Sequence, residues 1–204
     1  MNRYLKTAVA GMLLSAAVTT ASAAVVQLGS VSKTYGTTGS EAASGGAGTC
    51  DIRNASSITV RERSNCQRFY DVFDFSFLNY QSLDHITLTL SYGGNANTLE
   101  DWRVRFAQSA TLASSVLPDM PNSSGTTTQQ FVFNATHGAG IFNTVAANEK
   151  LYLWFAEQGF TANNTFELYS AKIDVFGTAV PEPASMALFG IALGALGLSR
   201  RRKH

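Results

Sequence analysis

The sequence predicts an all-β fold, an antiparallel β-sandwich of jelly-roll type, on three observations. Apolar and polar residues alternate with period two in short runs, clusters of turn-forming residues separate the runs, and no helical periodicity appears between Gln27 and Val180. In Ile86-Thr87-Leu88-Thr89-Leu90-Ser91-Tyr92 the even positions are apolar and the odd ones polar, which marks a strand with one wet face. The stretches from Trp102 to Phe106 and from Tyr169 to Val175 repeat the pattern. Together they point Ile86, Leu88, Leu90, Trp102, Val104, Phe106, Ile173 and Val175 inward.

The remaining strands carry weaker signals. Phe69 to Leu78, Phe131 to Phe133 and Leu151 to Ala156 are rich in aromatics, and the last is apolar on both faces, as a central strand is. Ala24 to Leu28 and Ile58 to Arg63 bring the count to about eight. Turn clusters lie between them at Gly93-Gly94-Asn95, from Pro121 to Gly125, and at His137-Gly138-Ala139-Gly140. Lys33 to Thr49 is almost all Gly, Ser, Thr and Ala, buries little apolar surface, and reads as a flexible loop. Short strands without helices pack as two antiparallel sheets face to face. No internal repeat has the fixed period that a solenoid requires.

Both ends of the 204-residue chain read as processing segments around one domain, residues 24–180. Residues 1–23 form a signal peptide, expected to be helical, with basic Arg3 and Lys6 and an apolar run from Thr7 to Val18. It closes on Ala21-Ser22-Ala23, the small-x-small pattern that fits the narrow pockets of signal peptidase, so cleavage is expected between Ala23 and Ala24 after export by the Sec machinery. The formal charge of +1 hides a segregation of signs. Six basic residues sit in the two end segments, and the domain between them holds 9 basic and 13 acidic residues, a net −4. Such a domain lacks the positive charge that phosphate neutralisation needs, which speaks against nucleic acid as a partner.

Cys50 and Cys66 are the two cysteines, and an exported domain matures under oxidising conditions. A disulfide between them would close a loop of about 15 residues and contribute about 3 kcal/mol, mainly by restricting the unfolded chain. Neither has a neighbouring His or basic pair to make a reactive thiolate.

Residues 181–204 are the most specific part of the chain. They read Pro181-Glu182-Pro183, an uncharged apolar run from Ala184 to Leu198, and a basic end at Arg200, Arg201, Arg202 and Lys203. As a helix the 15-residue run would span about 22 Å, short of a hydrocarbon core of about 30 Å unless flanking residues help. The basic end should stay cytoplasmic and orient the segment as a transmembrane helix. Three parts in this order resemble the PEP-CTERM sorting signal of Gram-negative bacteria, and Gly190, Gly194 and Gly197 fit that family's small-residue habit. The resemblance covers about 25 residues and implies an exosortase as processing partner, a transient stay in the inner membrane, and final delivery to the cell surface or extracellular matrix.

For the domain itself, no motif fixes a chemical activity. His85, His137 and His204 are scattered without metal-ligand spacing, and no nucleophile elbow or phosphate loop occurs. Neither a metal nor any other cofactor is expected. Asp71 and Asp74, three apart in a strand, should face opposite ways, whereas a glycosidase needs two carboxylates across one cleft. Glu100-Asp101 beside a Gly- and Asn-rich turn offers hard oxygen ligands that could suit Ca²⁺, or simply a solvated acidic turn. Trp102 and Trp154 fall where core residues are expected. Asn54, Asn122, Asn134 and Asn163 begin N-x-S/T sequons, a coincidence in a chain rich in these residues. The expectation is a non-catalytic surface or matrix protein associated with exopolysaccharide, with a carbohydrate-binding module as the alternative and a polysaccharide hydrolase behind it. A solvent-facing row of aromatics would favour the binding module, and two carboxylates about 5–10 Å apart in a groove the enzyme.

Overall fold

Two of the three segments with the clearest two-residue period become the longest strands, Tyr80–Gly93 and Thr165–Ala179. The computed structural model describes residues 24–39, 50–61, 69–97, 99–109, 111–159, 164–180 and 191. The strands are β1 (Val25–Thr34), β2 (Ile52–Arg53), β3 (Ile58–Arg61), β4 (Tyr70–Asp74), β5 (Tyr80–Gly93), β6 (Trp102–Ala107), β7 (Thr127–Asn134), β8 (Lys150–Glu157) and β9 (Thr165–Ala179), with one helix, α1 (Ala139–Asn148). A six-stranded sheet runs β2-β3-β9-β5-β7 with β1 also paired to β9, and a three-stranded sheet runs β4-β8-β6. All pairings are antiparallel. The expected sandwich is therefore present, though its strands divide six and three, unlike the eight of a jelly roll.

β9 is the spine of the larger sheet. β5 pairs with it from Glu167 to Ala179 along one edge. Its other edge is shared, β3 taking Thr165–Leu168 and β1 taking Ser170–Thr178. Phe166 and Leu168 are buried, then Ala171, Ile173 and Val175, so the inward phase moves from even to odd numbers. The register against β5 shifts at this point, between Ser91 and Tyr92. One extra residue in a strand reverses every side chain beyond it, which explains the change.

The eight residues expected to point inward are all buried. Aromatic rings join the sheets: Phe166 of β9 meets Trp102 of β6 at 4.7 Å and Phe155 of β8 at 4.9 Å, and Phe106 of β6 stacks on Phe133 of β7 at 4.6 Å. β8 is central in its sheet, as its two apolar faces predict. The outer edge of β6 is closed by the segment after it, through Ser114 N to Phe106 O (2.7 Å), Val104 N to Pro118 O (2.9 Å) and Met120 N to Trp102 O (2.9 Å). A covered edge cannot recruit another strand.

Three sequence expectations need correction. First, α1 lies where no helix was expected. Its buried residues are Phe142 and Val145, a stripe too short to register as a period, and the glycines on its first turn read as a loop. Gly138, at φ +117°, closes a 3₁₀ turn (Ala135–His137), and Phe142 then packs on Phe133 at 5.3 Å. Second, the strand expected from Phe69 to Leu78 stops at Asp74, whose carboxylate accepts the Ser76 N–H (3.0 Å) and opens a turn. Third, the stretch that begins at Lys33 is not a loop at its start. Lys33 and Thr34 belong to β1, Lys33 and Tyr35 are buried, and Thr37 N and Thr38 N bond to Asn54 O and Ala55 O. Gly36 permits this approach: at φ +96° its missing Cβ leaves room for the backbone of Ala55 to Ser57. Composition concealed the two side chains that matter.

Those two side chains reach across the sandwich. Lys33 Nζ lies 2.7 Å from Asp71 Oδ1, and the Tyr35 hydroxyl donates to Asp71 Oδ2 at 2.8 Å. Asp71 sits on β4 of the other sheet and also accepts the Val72 N–H, while Lys33 Nζ stands 5.0 Å from the Phe73 ring centroid. Lys33 and Asp71 are both buried. A buried charge keeps its place only when paired and hydrogen-bonded, so each partner holds the other in position.

The signal peptide, residues 1–23, and the tail, residues 181–204 apart from Ile191, lie outside the described residues, so the two expected terminal helices are not part of the observed architecture. Among the described residues no helix is long and apolar enough to cross a membrane. Cys66 also lies outside them; Cys50 lies within, and no free cysteine is found there.

Removing one partner of the Lys33–Asp71 pair should be costly and removing the whole cluster much less so. Asp71→Ala is expected to lose about 3–5 kcal/mol of stability in urea unfolding. The triple variant Lys33→Met/Tyr35→Phe/Asp71→Leu should regain most of that loss. A single variant within about 0.5 kcal/mol of the parent would contradict the role given to the pair.

Candidate functional site

Asp71 and Asp74 lie on opposite faces of β4 and do not form a carboxylate pair. Asp71 faces the interior with both oxygens engaged, while Asp74 is exposed, and the Ser76 contacts with Lys150 nearby hold its carboxyl below the usual range. Asp101 is gripped by Arg103, Nε to Oδ1 at 2.5 Å and Nη2 to Oδ2 at 2.8 Å. Glu157 Oε1 accepts the Asp101 N–H at 3.2 Å and the Gly159 N–H at 2.5 Å. Oxygens already committed to such donors are poor cation ligands, and among the described residues no group of three acidic, His or Cys side chains could hold a metal ion.

Glu100 is the exception in this neighbourhood. Its Oε2 is buried without a hydrogen bond, as is the Trp102 Nε1–H, which stands near enough to oppose the effect in part. Burial raises the Glu100 pKa above its ordinary 4.5, and the charge of Glu157 adds to the rise.

The outer face of the smaller sheet gathers a different set. On β8, Leu151, Leu153 and Phe155 join the core cluster, so Tyr152, Trp154 and Ala156 face the other way. Trp154 is buried, as expected, but on this other side of the sheet: it pairs with Tyr70 of β4 on one side and Arg105 of β6 on the other. The three form a row across the sheet about 10 Å wide at ordinary strand spacing. Tyr70 is 44 % exposed, whereas Trp154 is 9 % exposed, with the Arg105 guanidinium 5.8 Å from its ring centroid. The Trp154 Nε1–H and the Arg105 Nε–H are buried without an acceptor. Tyr152 lies two residues along from Trp154, opposite Val72. Two phenol rings, an indole and a guanidinium on one surface can stack on apolar ring faces and donate to oxygens between them.

The outer face of the larger sheet is mostly polar, with Val132 exposed on β7 and the Arg61 Nε–H on β3 buried without an acceptor. Cross-strand rows place Thr34, Ser170, Ser91 and Thr128 together, then Ser32, Lys172, Thr89 and Gln130. Lys172 Nζ pairs with Asp174 at 2.8 Å, which also accepts from Gln27 Nε2, and His85 stacks on Phe176 at 4.4 Å. Near its far end Glu167 takes hydrogen bonds from Asn54, Ser57 and Thr59.

Sequence reasoning named neither Tyr70 nor Arg105. The signal was present, since both fall on the polar phase of strands whose other phase is core. Of the residues it did name, Cys50 and the exposed Ala24 are described, while Ala21, Ala23, Cys66, Pro181, Glu182, Pro183, Arg200, Arg201, Arg202 and Lys203 lie outside.

β9 ends at Ala179, and residues 179–203 match the model of the PEP-CTERM protein-sorting motif. The chain carries a PEP-CTERM sorting tail. This tail marks an exported protein and accounts for the charge segregation, because its basic end is separated from the acidic domain by the apolar run. No characterised protein matches the chain in sequence. Among solved structures, the xylan-binding module CBM15 aligns at TM-score 0.43 and 11% identity, over 77% of this chain and 99% of that one. The sugar-binding EclA C-terminal domain aligns at 0.35 and 13%, over 60% and 81%. The Tobacco streak virus coat protein aligns at 0.24 and 11%, over 63% and 91%.

The Glu100 carboxyl gives a prediction with a definite sign. A folded-state pKa raised above the unfolded value means that the contribution to stability is fully present below the unfolded value and is lost as pH rises through the folded one. Glu100→Gln should therefore melt above the parent at pH 7, and the gap should close by about pH 4. A gap that persists unchanged into acid would assign the effect to something other than the buried charge.

Proposed function

We propose that this PEP-CTERM protein is a non-catalytic component of the cell surface or extracellular matrix whose domain contacts exopolysaccharide. Residues 1–23 act as a Sec signal peptide cut between Ala23 and Ala24 by signal peptidase. The run from Ala184 to Leu198 then holds the chain in the inner membrane as a helix, with Arg200, Arg201, Arg202 and Lys203 on the cytoplasmic side. Pro181-Glu182-Pro183 cannot continue a helix towards the domain and presents an extended segment to an exosortase. Cleavage there releases the domain outward, as the temporary tail of a lipid-anchor signal is also removed. Cys50 and Cys66 form the disulfide of the exported domain.

The observation that favours a sugar-contacting role is the row Tyr70–Trp154–Arg105. The exposed Tyr70 ring can stack on the C–H face of a pyranose ring, and the Arg105 guanidinium two strands away suits hydroxyl or carboxylate oxygens. Asp71 and Asp74 point to opposite sides of β4, which favours binding over hydrolysis.

Two experiments address these steps. Intact mass spectrometry of the non-reduced mature protein, in hosts with and without the exosortase, should find residues through His204 only where the enzyme is missing, with the two cysteines joined. A C-terminal peptide retained in both hosts makes the tail a permanent anchor. For the surface, Tyr70→Ala and Arg105→Ala should each weaken retention in affinity gels cast with the host's exopolysaccharide. Retention equal to the parent in both variants refutes this face as the contact.

A further inference from the structure

The two ends of the domain leave the fold at the same place. β1 begins at Val25 opposite Thr178, and β5 begins at Tyr80 opposite Ala179, the last residue of β9. The turn between β4 and β5 belongs to this end as well, because a Cβ at Gly29 would collide with Leu78. Phe77 at the tip of that turn is 67 % exposed, more than any other large apolar residue among those described. Val25, Val26 and Val180 are also exposed, at 49 %, 43 % and 45 %. The polar turns at Gly94–Asn97 and Ser123–Gly125 lie at the opposite end of β5, joined through Gly94 N to Ser123 O.

Chain length decides which end faces the membrane. Five residue steps separate Ala179 from Ala184, where the apolar run starts, and an extended chain covers at most about 18 Å in that distance. The 15 residues of β9 extend for about 50 Å. A tether that short cannot bring the far end to the bilayer while the tail is inserted. Charge does not draw the domain down either, since its net −4 opposes anionic headgroups. What remains at this end to meet lipid is the apolar set around Phe77.

We infer that, while the tail is in place, the domain stands with this end on the membrane and inserts Phe77 into the interfacial layer, holding the distal turns outward. The inference rests on tail insertion, and its test reads the two separately. The full chain is reconstituted in vesicles of phosphatidylethanolamine and phosphatidylglycerol containing brominated lipid, with the unsubstituted chain as reference for Trp102 and Trp154. Phe77→Trp and Phe189→Trp should each add fluorescence that brominated lipid quenches, and Asn97→Trp should add fluorescence that it does not. Quenching at 189 without quenching at 77 overturns the orientation and leaves the anchor intact. Quenching at 97 as well as at 77 means that the domain lies flat, which also overturns it. No quenching at 189 removes the anchor, and the inference falls with it.

Discussion

Strand β9 hydrogen-bonds along both edges at once, and the other elements take their positions from it. β5 occupies one edge for nearly its whole length, and β3 and β1 divide the other. Its irregularity near Tyr169 and Ser170 lets a single strand serve two inward phases, one pointing Phe166 at Trp102 and Phe155, the other placing Ile173 and Val175 beside Leu88 and Ile86 of β5. A strand paired on both sides is hard to shift by one residue, because a slip would turn two ladders and a core face together. The sorting tail follows directly from this strand, so any pull on the tail is applied to the most heavily hydrogen-bonded element of the fold.

What was legible in the sequence follows from the same geometry. Alternation could be read wherever one face of a strand is dry and the other wet, as in β5 and β6, and there the inward residues came out correctly. It failed where burial depends on partners distant in sequence. Lys33 looks like a solvated loop residue until Asp71, 38 positions later, is brought beside it. α1 has little helical signature of its own and exists because Phe142 finds Phe133. β8 is apolar on both faces, and only the register with Tyr70 and Arg105 tells which side of the sheet buries Trp154. The tail was legible at once because its meaning lies in the order of three simple chemical properties and needs no folded partner.

The two sheets divide the labour unequally. The larger one has an outer face of hydroxyls and closed ion pairs, with its carboxylates already supplied with donors. The smaller one keeps partly exposed aromatics and two N–H donors without acceptors. An unpaired buried donor is a standing cost to the fold. Under the proposed function, the exposed Tyr70 makes the smaller sheet the contacting face. It is also held in place by the buried contact with β1 at Asp71, one residue from Tyr70. Rigid support directly behind Tyr70 would limit the entropy lost in the sugar contact proposed for it.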